Sequence, residues 1–139
     1  MIAVTYEHQV PYNYDLRGIS FPILILRLSL PGQVEPALDI EAYLDSGAEK
    51  SLIEGSFATA LGIELLSGRE TKFVSTNRSE FIARLHRICL SHPTIGSFDL
   101  EVGFSTASIA RNLLGRDFFN LVQIGFRERQ LTFYISSTP

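Results

Sequence analysis

Hydrophobic residues in this chain come in short blocks or in strict alternation with polar ones, and the blocks have the length of strands rather than helices. Phe21 to Leu30 is an apolar run that reads as a buried strand, and Pro31-Gly32-Gln33-Val34-Glu35-Pro36 carries turn punctuation. Leu38, Ile40, Ala42 and Leu44 then alternate with polar or amphipathic neighbours, so the two segments form a hairpin. The second strand runs straight into Asp45-Ser46-Gly47-Ala48, after which Ser51-Leu52-Ile53 resumes an extended apolar pattern and leaves a sharp loop presenting Asp45. Ser56 to Leu61 has helical composition, with Gly62 where a C-terminal cap glycine belongs. Lys72-Phe73-Val74 and Phe81 to Leu90 flank the polar tip Ser75-Thr76-Asn77-Arg78-Ser79-Glu80 as a longer hairpin. Phe98 to Phe104 alternates as a half-buried strand. Leu113-Leu114 lead into Gly115-Arg116-Asp117, and Leu121 to Phe126 with Leu131 to Ile135 flank Arg127-Glu128-Arg129-Gln130 as a closing hairpin. Many short strands, one or two short helices and no βαβ rhythm predict an all-β barrel or sandwich.

Composition narrows the function classes. The chain has 139 residues, 45% hydrophobic and 19% charged, which fits one compact domain with a single core. The formal charge is 12 − 15 = −3, so no basic field is available for nucleic acid or anionic lipid. The most apolar stretch is interrupted by Pro22 and Arg27 and is much shorter than the about 20 residues of a membrane span. Met1-Ile2-Ala3-Val4 lacks the basic flank and cleavage site of a secretory leader, and the expectation is a cytoplasmic protein without membrane contact. Cys89 is the single cysteine; it excludes an intrachain disulfide and reads as a packed residue in Arg87-Ile88-Cys89-Leu90. His8, His86 and His92 lack the spacing of a zinc site, and neither a metal nor a cofactor is expected. No G-x-S-x-G elbow supports serine hydrolase chemistry.

The chemistry is concentrated in Asp45-Ser46-Gly47-Ala48. A D-[ST]-G triplet arises by chance about once in twenty chains of this length, and read alone it is also an ordinary Asx turn at a strand end. A second element accompanies it. Leu113-Leu114 followed by Gly115-Arg116-Asp117 lies 115 − 45 = 70 residues further on, with the polar-tipped hairpin in between.

With these anchors the sequence resembles the retropepsin-like aspartic proteases, from about Phe21 to Ile135. Weaker similarity runs through Phe81-Ile82-Ala83-Arg84 and Gln123-Ile124-Gly125. The resemblance implies a closed acid-protease barrel over residues 21–139 preceded by an arm of residues 1–20. It further implies a homodimer, an extended peptide or protein substrate, and peptide-bond hydrolysis by one aspartate from each subunit. Metal-free hydrolysis of this kind needs one group to take a proton from water and another to give one to the carbonyl oxygen. Two adjacent carboxylates that cannot both ionise share that work. Asp15, Asp39, Asp99 and Asp117 are not followed by Ser-Gly or Thr-Gly, so one chain carries half a site and a twofold axis between two copies of Asp45 would complete it.

The remaining roles follow residue by residue. Asp45, Ser46 and Gly47 form the catalytic loop, Gly47 turning its N–H toward the carboxylate and Ser46, where the family more often has Thr, offering a hydroxyl across the axis. Leu44, Ala48, Ile53 and Ile109 are expected in the groove walls, and Val74, Ser75, Thr76, Asn77 and Arg78 in the flap that closes over substrate. Glu49, where relatives commonly carry Asp, is expected to pair with Arg116 and brace the loop. The apolar chain ends, Met1 to Val4 and Leu131 to Ile135, are expected to interleave between subunits. The flap tip Ser75 to Ser79 contains no glycine, and Asn77 is the residue there suited to a left-handed turn. That tip keeps open a second reading: a noncatalytic module of the same fold that dimerises or binds peptide.

Overall fold

A computed structural model describes residues 1–74 and 78–139. The chain begins with β1 (His8–Pro11) and a small ladder of β2 (Asn13–Tyr14) with β3 (Ser20–Phe21). Then come β4 (Ile23–Ser29), β5 (Ala37–Leu44), β6 (Leu52–Glu54) and α1 (Gly55–Ala60). Next are β7 (Arg69–Val74) and β8 (Glu80–His92), which pair antiparallel, and β8 turns into β9 (Gly96–Ser105). The chain closes with β10 (Asn112–Leu114), α2 (Arg116–Phe119), β11 (Gln123–Arg127) and β12 (Thr132–Ser136). The apolar run predicted from Phe21 is broken at Pro22, which has no N–H for a ladder; its carbonyl accepts from Leu44 N at 2.9 Å instead. α1 ends at Leu61, and Gly62 follows in the left-handed region at φ 79, the conformation that a Cβ would oppose.

The main sheet has the order β4-β5-β10-β6-β9-β8-β7, and β4 also pairs with β8. Six of these strands therefore form a closed ring, with β7 outside it, sharing with β4 the edge of β8 opposite β9 but at the other end of the strand. The ring is filled by alternate residues: β4 and β5 send Leu24, Leu26, Leu28, Ile40, Ala42 and Leu44 inward to meet Ile88, Leu90 and Phe104, all nearly inaccessible. Period-two alternation converts directly into this arrangement, because successive side chains leave opposite faces of a strand. No helix among the described residues is long and apolar enough to cross a membrane.

A second sheet has the order β1-β12-β11. His8 to Pro11 run antiparallel to Thr132 to Ile135, while Gln123 to Arg127 occupy the other side of β12. The first twenty residues are thus partly built into the domain: β1 covers one edge of β12, and Tyr12 joins the core at 7% exposure. This alters the expectation for the chain ends. Among the described residues Leu131 to Ile135 already have neighbours on both sides within their own chain, and the exposed residues Met1 to Val4 lie in no strand.

Candidate active site

β5 delivers Asp45 and β10 holds it in place. β10 lies between β5 and β6, parallel to the first through Asn112↔Ala42, Leu113↔Tyr43 and Leu114↔Leu44, and antiparallel to the second at Leu113↔Leu52. The loop of residues 45–51 that joins β5 to β6 must therefore cross the end of β10, and the crossing is tied at several points. Asp45 N donates to Leu114 O at 2.9 Å, and Arg116 N donates to Ala48 O at 2.8 Å. Gly115 sits where a Cβ would stand 2.6 Å from Ala48 O and 2.9 Å from Lys50 O, so the glycine is required by close backbone approach.

Asp45 is half-buried. Its Oδ1 accepts from Gly47 N at 2.9 Å and its own carbonyl from Ala48 N at 3.2 Å. The tight turn expected from Asp-Ser-Gly is present, with the amide aimed at the carboxylate. Ser46 and Gly47 are exposed beside it, and Glu49 is exposed further along.

The brace is built from different residues than expected. Ion pairs among the described residues do not join Glu49 to Arg116: the exposed Arg116 contributes its backbone N–H, and its neighbour Asp117 binds the loop. Both oxygens of Asp117 accept from Ser51 N at 3.0 Å, Oδ1 also takes the Ser51 hydroxyl at 2.6 Å and Phe118 N at 2.8 Å, and Ser51 Oγ accepts from Gly115 N at 3.0 Å. Ser51 is fully buried, so these groups have no water to turn to and the network is obligatory. Asn112 adds a second tie, donating to Glu41 O at 3.1 Å and accepting from Glu54 N at 2.9 Å. Sequence reasoning passes over Ser51 and Asn112. The signal available is a pair of small polar residues inside apolar strand segments, where a polar group needs a stated partner.

A cleft of about 680 Å³ opens above this loop, with Asp45, Gly47 and Ala48 in its floor and Phe73, Val74, Phe81 and Leu113 among its walls. Ala48 and Val74 stand where expected. Leu44 and Ile53 instead point into the core at 6% and 0% exposure, because period two turns them away from the face that carries Asp45. Ile109, half-buried before β10, is not among the lining residues. Ser75, Thr76 and Asn77 lie outside the described residues; Arg78 follows them exposed with φ 65, in the left-handed turn conformation that was expected at Asn77. Phe73 and Leu113 are wall residues that periodicity does not single out. The Phe73 ring rests on β9, where a Cβ on Gly103 would come within 2.7 Å of it. Among the described residues no group of three or more His, Cys, Asp or Glu is placed to hold a metal ion.

No family model and no curated protein matches the sequence. Among solved structures, a retropepsin-like aspartic protease from Rickettsia conorii superposes with a TM-score of 0.63 at 16% identity, over 98% of this chain and 97% of that one. EIAV protease, complexed with the inhibitor HBY-793, superposes with a TM-score of 0.54 at 16% identity, over 77% of this chain and 90% of that one. The ring of strands, the crossed loops at Asp45 and Gly115, and the paired arms over the cleft are therefore the fold of the retropepsin-like aspartic proteases.

Proposed function

We propose that this chain is an aspartic endopeptidase that acts as a homodimer, with Asp45 of each copy meeting across a twofold axis. The observation that carries this reading is the Asp45 carboxylate itself: half-buried at the floor of a cleft and held by one backbone amide, while Glu49, the other acid among the described lining residues, is not bonded to it. One carboxylate cannot both remove and supply a proton at the same instant. Two can. The ionised member takes a proton from water, the resulting hydroxide adds to the peptide carbonyl carbon, and the protonated member gives its proton to the carbonyl oxygen. Collapse of the diol then breaks the C–N bond: the now protonated carboxyl gives its proton to the departing nitrogen while the ionised one takes a proton from a diol hydroxyl, leaving a carboxylic acid and an amine and restoring the pair. Gly47 N–H donates to Asp45 and holds the carboxylate in place, and Ser46 lies exposed beside it, free to reach across the axis.

Two flap arms over a cleft suit an extended peptide, which gains backbone hydrogen bonds along its length and is held in place for attack. Association of two copies uses an open sheet edge. In the sheet of chain ends the outer edge of β11 is unpaired among the described residues, and Phe126 on that strand is 42% exposed.

The test is incubation with a denatured-protein and peptide library at acidic to neutral pH, with fragments identified by mass. Cleavage by the natural chain, lost in Asp45→Asn, is the expected result. A dimer of proven mass that binds the library peptides and leaves them intact would replace this reading with that of a noncatalytic peptide-binding module.

A further inference from the structure

We propose that Arg111, which stands beside the lining of this cleft and two residues before its wall Leu113, is a specificity residue that receives an acidic substrate side chain where an extended peptide leaves the cleft; the proposal rests on the protease reading above. Its guanidinium carbon lies 4.5 Å from the centroid of the Tyr43 ring and 5.0 Å from that of Phe21. The two rings are 5.4 Å apart and tilted by 54°, so they form a V that fixes the guanidinium plane. Arginine held in this way keeps its charge and its fork of N–H donors while losing the rotational freedom that would weaken a bond to carboxylate.

Those donors are unspent. Among the described residues no carboxylate, carbonyl or hydroxyl accepts a hydrogen bond from Arg111, and the buried side-chain nitrogen left without a partner is Arg84 Nε. The N–H groups of Arg111 therefore reach open space. The lysines of the cleft differ: Lys50 is paired with Glu101 at 3.5 Å and Lys72 with Glu80 at 4.0 Å.

Register brings this fork to the border of the site. Arg111 immediately precedes β10, and the parallel register Asn112↔Ala42 sets its backbone beside Glu41. Its guanidinium nonetheless sits on Tyr43, about 7 Å further along β5 at the rise of a strand, and Asp45 follows two residues beyond. Leu113, two residues after Arg111, is itself a cleft wall. An extended peptide with its scissile carbonyl at Asp45 would carry a side chain within one or two residues of this guanidinium.

The experiment takes a peptide cleaved in the library screen and prepares versions with Glu or Gln at each of the two positions on either side of the cut bond. The natural chain should prefer Glu at one of these positions by about tenfold in kcat/KM, the size of a charge-assisted fork contact. The preference should appear in KM, vanish in Arg111→Gln and persist in part in Arg111→Lys. A ring clip with a purely structural role would instead lower the unfolding temperature of Arg111→Gln and leave the Glu-to-Gln ratio unchanged; that result, or equal cleavage of both peptides by the natural chain, overturns the proposal. If the natural chain cleaves nothing, anisotropy of fluorescein-labelled extended peptides of otherwise randomised sequence, made in matched sets with Glu or Gln at a central position, decides separately. Tighter binding of the Glu peptide, lost in Arg111→Gln, upholds Arg111 while the protease reading falls; equal or absent binding ends both.

Discussion

The hydroxyl of Ser51 joins two segments 64 residues apart, accepting from Gly115 N and donating to Asp117. Ser51→Ala leaves the buried Gly115 N–H without its acceptor and removes one of the donors to Asp117, which keeps the backbone amides of residues 51 and 118, and the expected loss is about 1–3 kcal/mol in urea unfolding. Cleavage should fall as well, since the same network holds the loop that carries Asp45. A second single-residue effect lies on the far side of the barrel. Burial, with His8 nearby, holds the His92 imidazole below the ordinary histidine value, and its Nδ1 accepts from Thr94 N at 3.2 Å and Ile95 N at 3.3 Å. On acidification the unfolded chain binds a proton at this residue before the folded chain does. The stability His92 contributes is therefore complete above the ordinary value and is lost as pH falls through it toward the depressed one. Unfolding followed from about pH 8 to pH 5 should show this slope, and His92→Asn, which keeps a turn-forming acceptor without the titration, should flatten it.

At the scale of elements, β7 is the strand whose position matters most to the cleft, and Gly103 sets it. With a Cβ there within 2.7 Å of the Phe73 ring and 3.3 Å of Ala83, Gly103→Val must push β7 outward. Stability should drop by about 1–3 kcal/mol from overpacking, and KM for peptide should rise more than kcat falls. The strands themselves are legible in the amino-acid sequence. Alternation at Leu38, Ile40, Ala42 and Leu44 announces β5, and Asp-Ser-Gly at its end announces the turn, because both are local consequences of backbone geometry. Ser51 and Asn112 are not legible, since their partners Asp117, Gly115 and Glu41 come from distant strands and only the crossing of β10 between β5 and β6 brings them together. The Glu49–Arg116 brace fails for a related reason: opposite charges at suggestive positions do not reveal which of Arg116 or Asp117 faces the loop.

On the proposed reading each copy supplies one catalytic acid, and the assembly of the whole molecule is the quantity that sequence can least supply. Nothing in Leu131 to Ile135 signals that β12 is enclosed by β1 on one side and β11 on the other. Sedimentation equilibrium should find a dimer, and Phe126→Lys on the open edge of β11 should shift it to monomer and abolish cleavage while leaving the fold intact by circular dichroism. Tyr12→Ala, which empties a core position contributed by the first twenty residues, should cost about 3–5 kcal/mol. The enclosure of β12 has one more outcome. Glu7 N donates to Ser136 Oγ at 3.0 Å and Ser137 N to the Glu7 carboxylate at 2.8 Å, so residues 7 and 137, just outside β1 and β12, lie side by side. A short linker could join them covalently, and the molecule could then be opened at an outlying turn such as Gly32 to yield a circular permutant with every strand of the barrel still in its place.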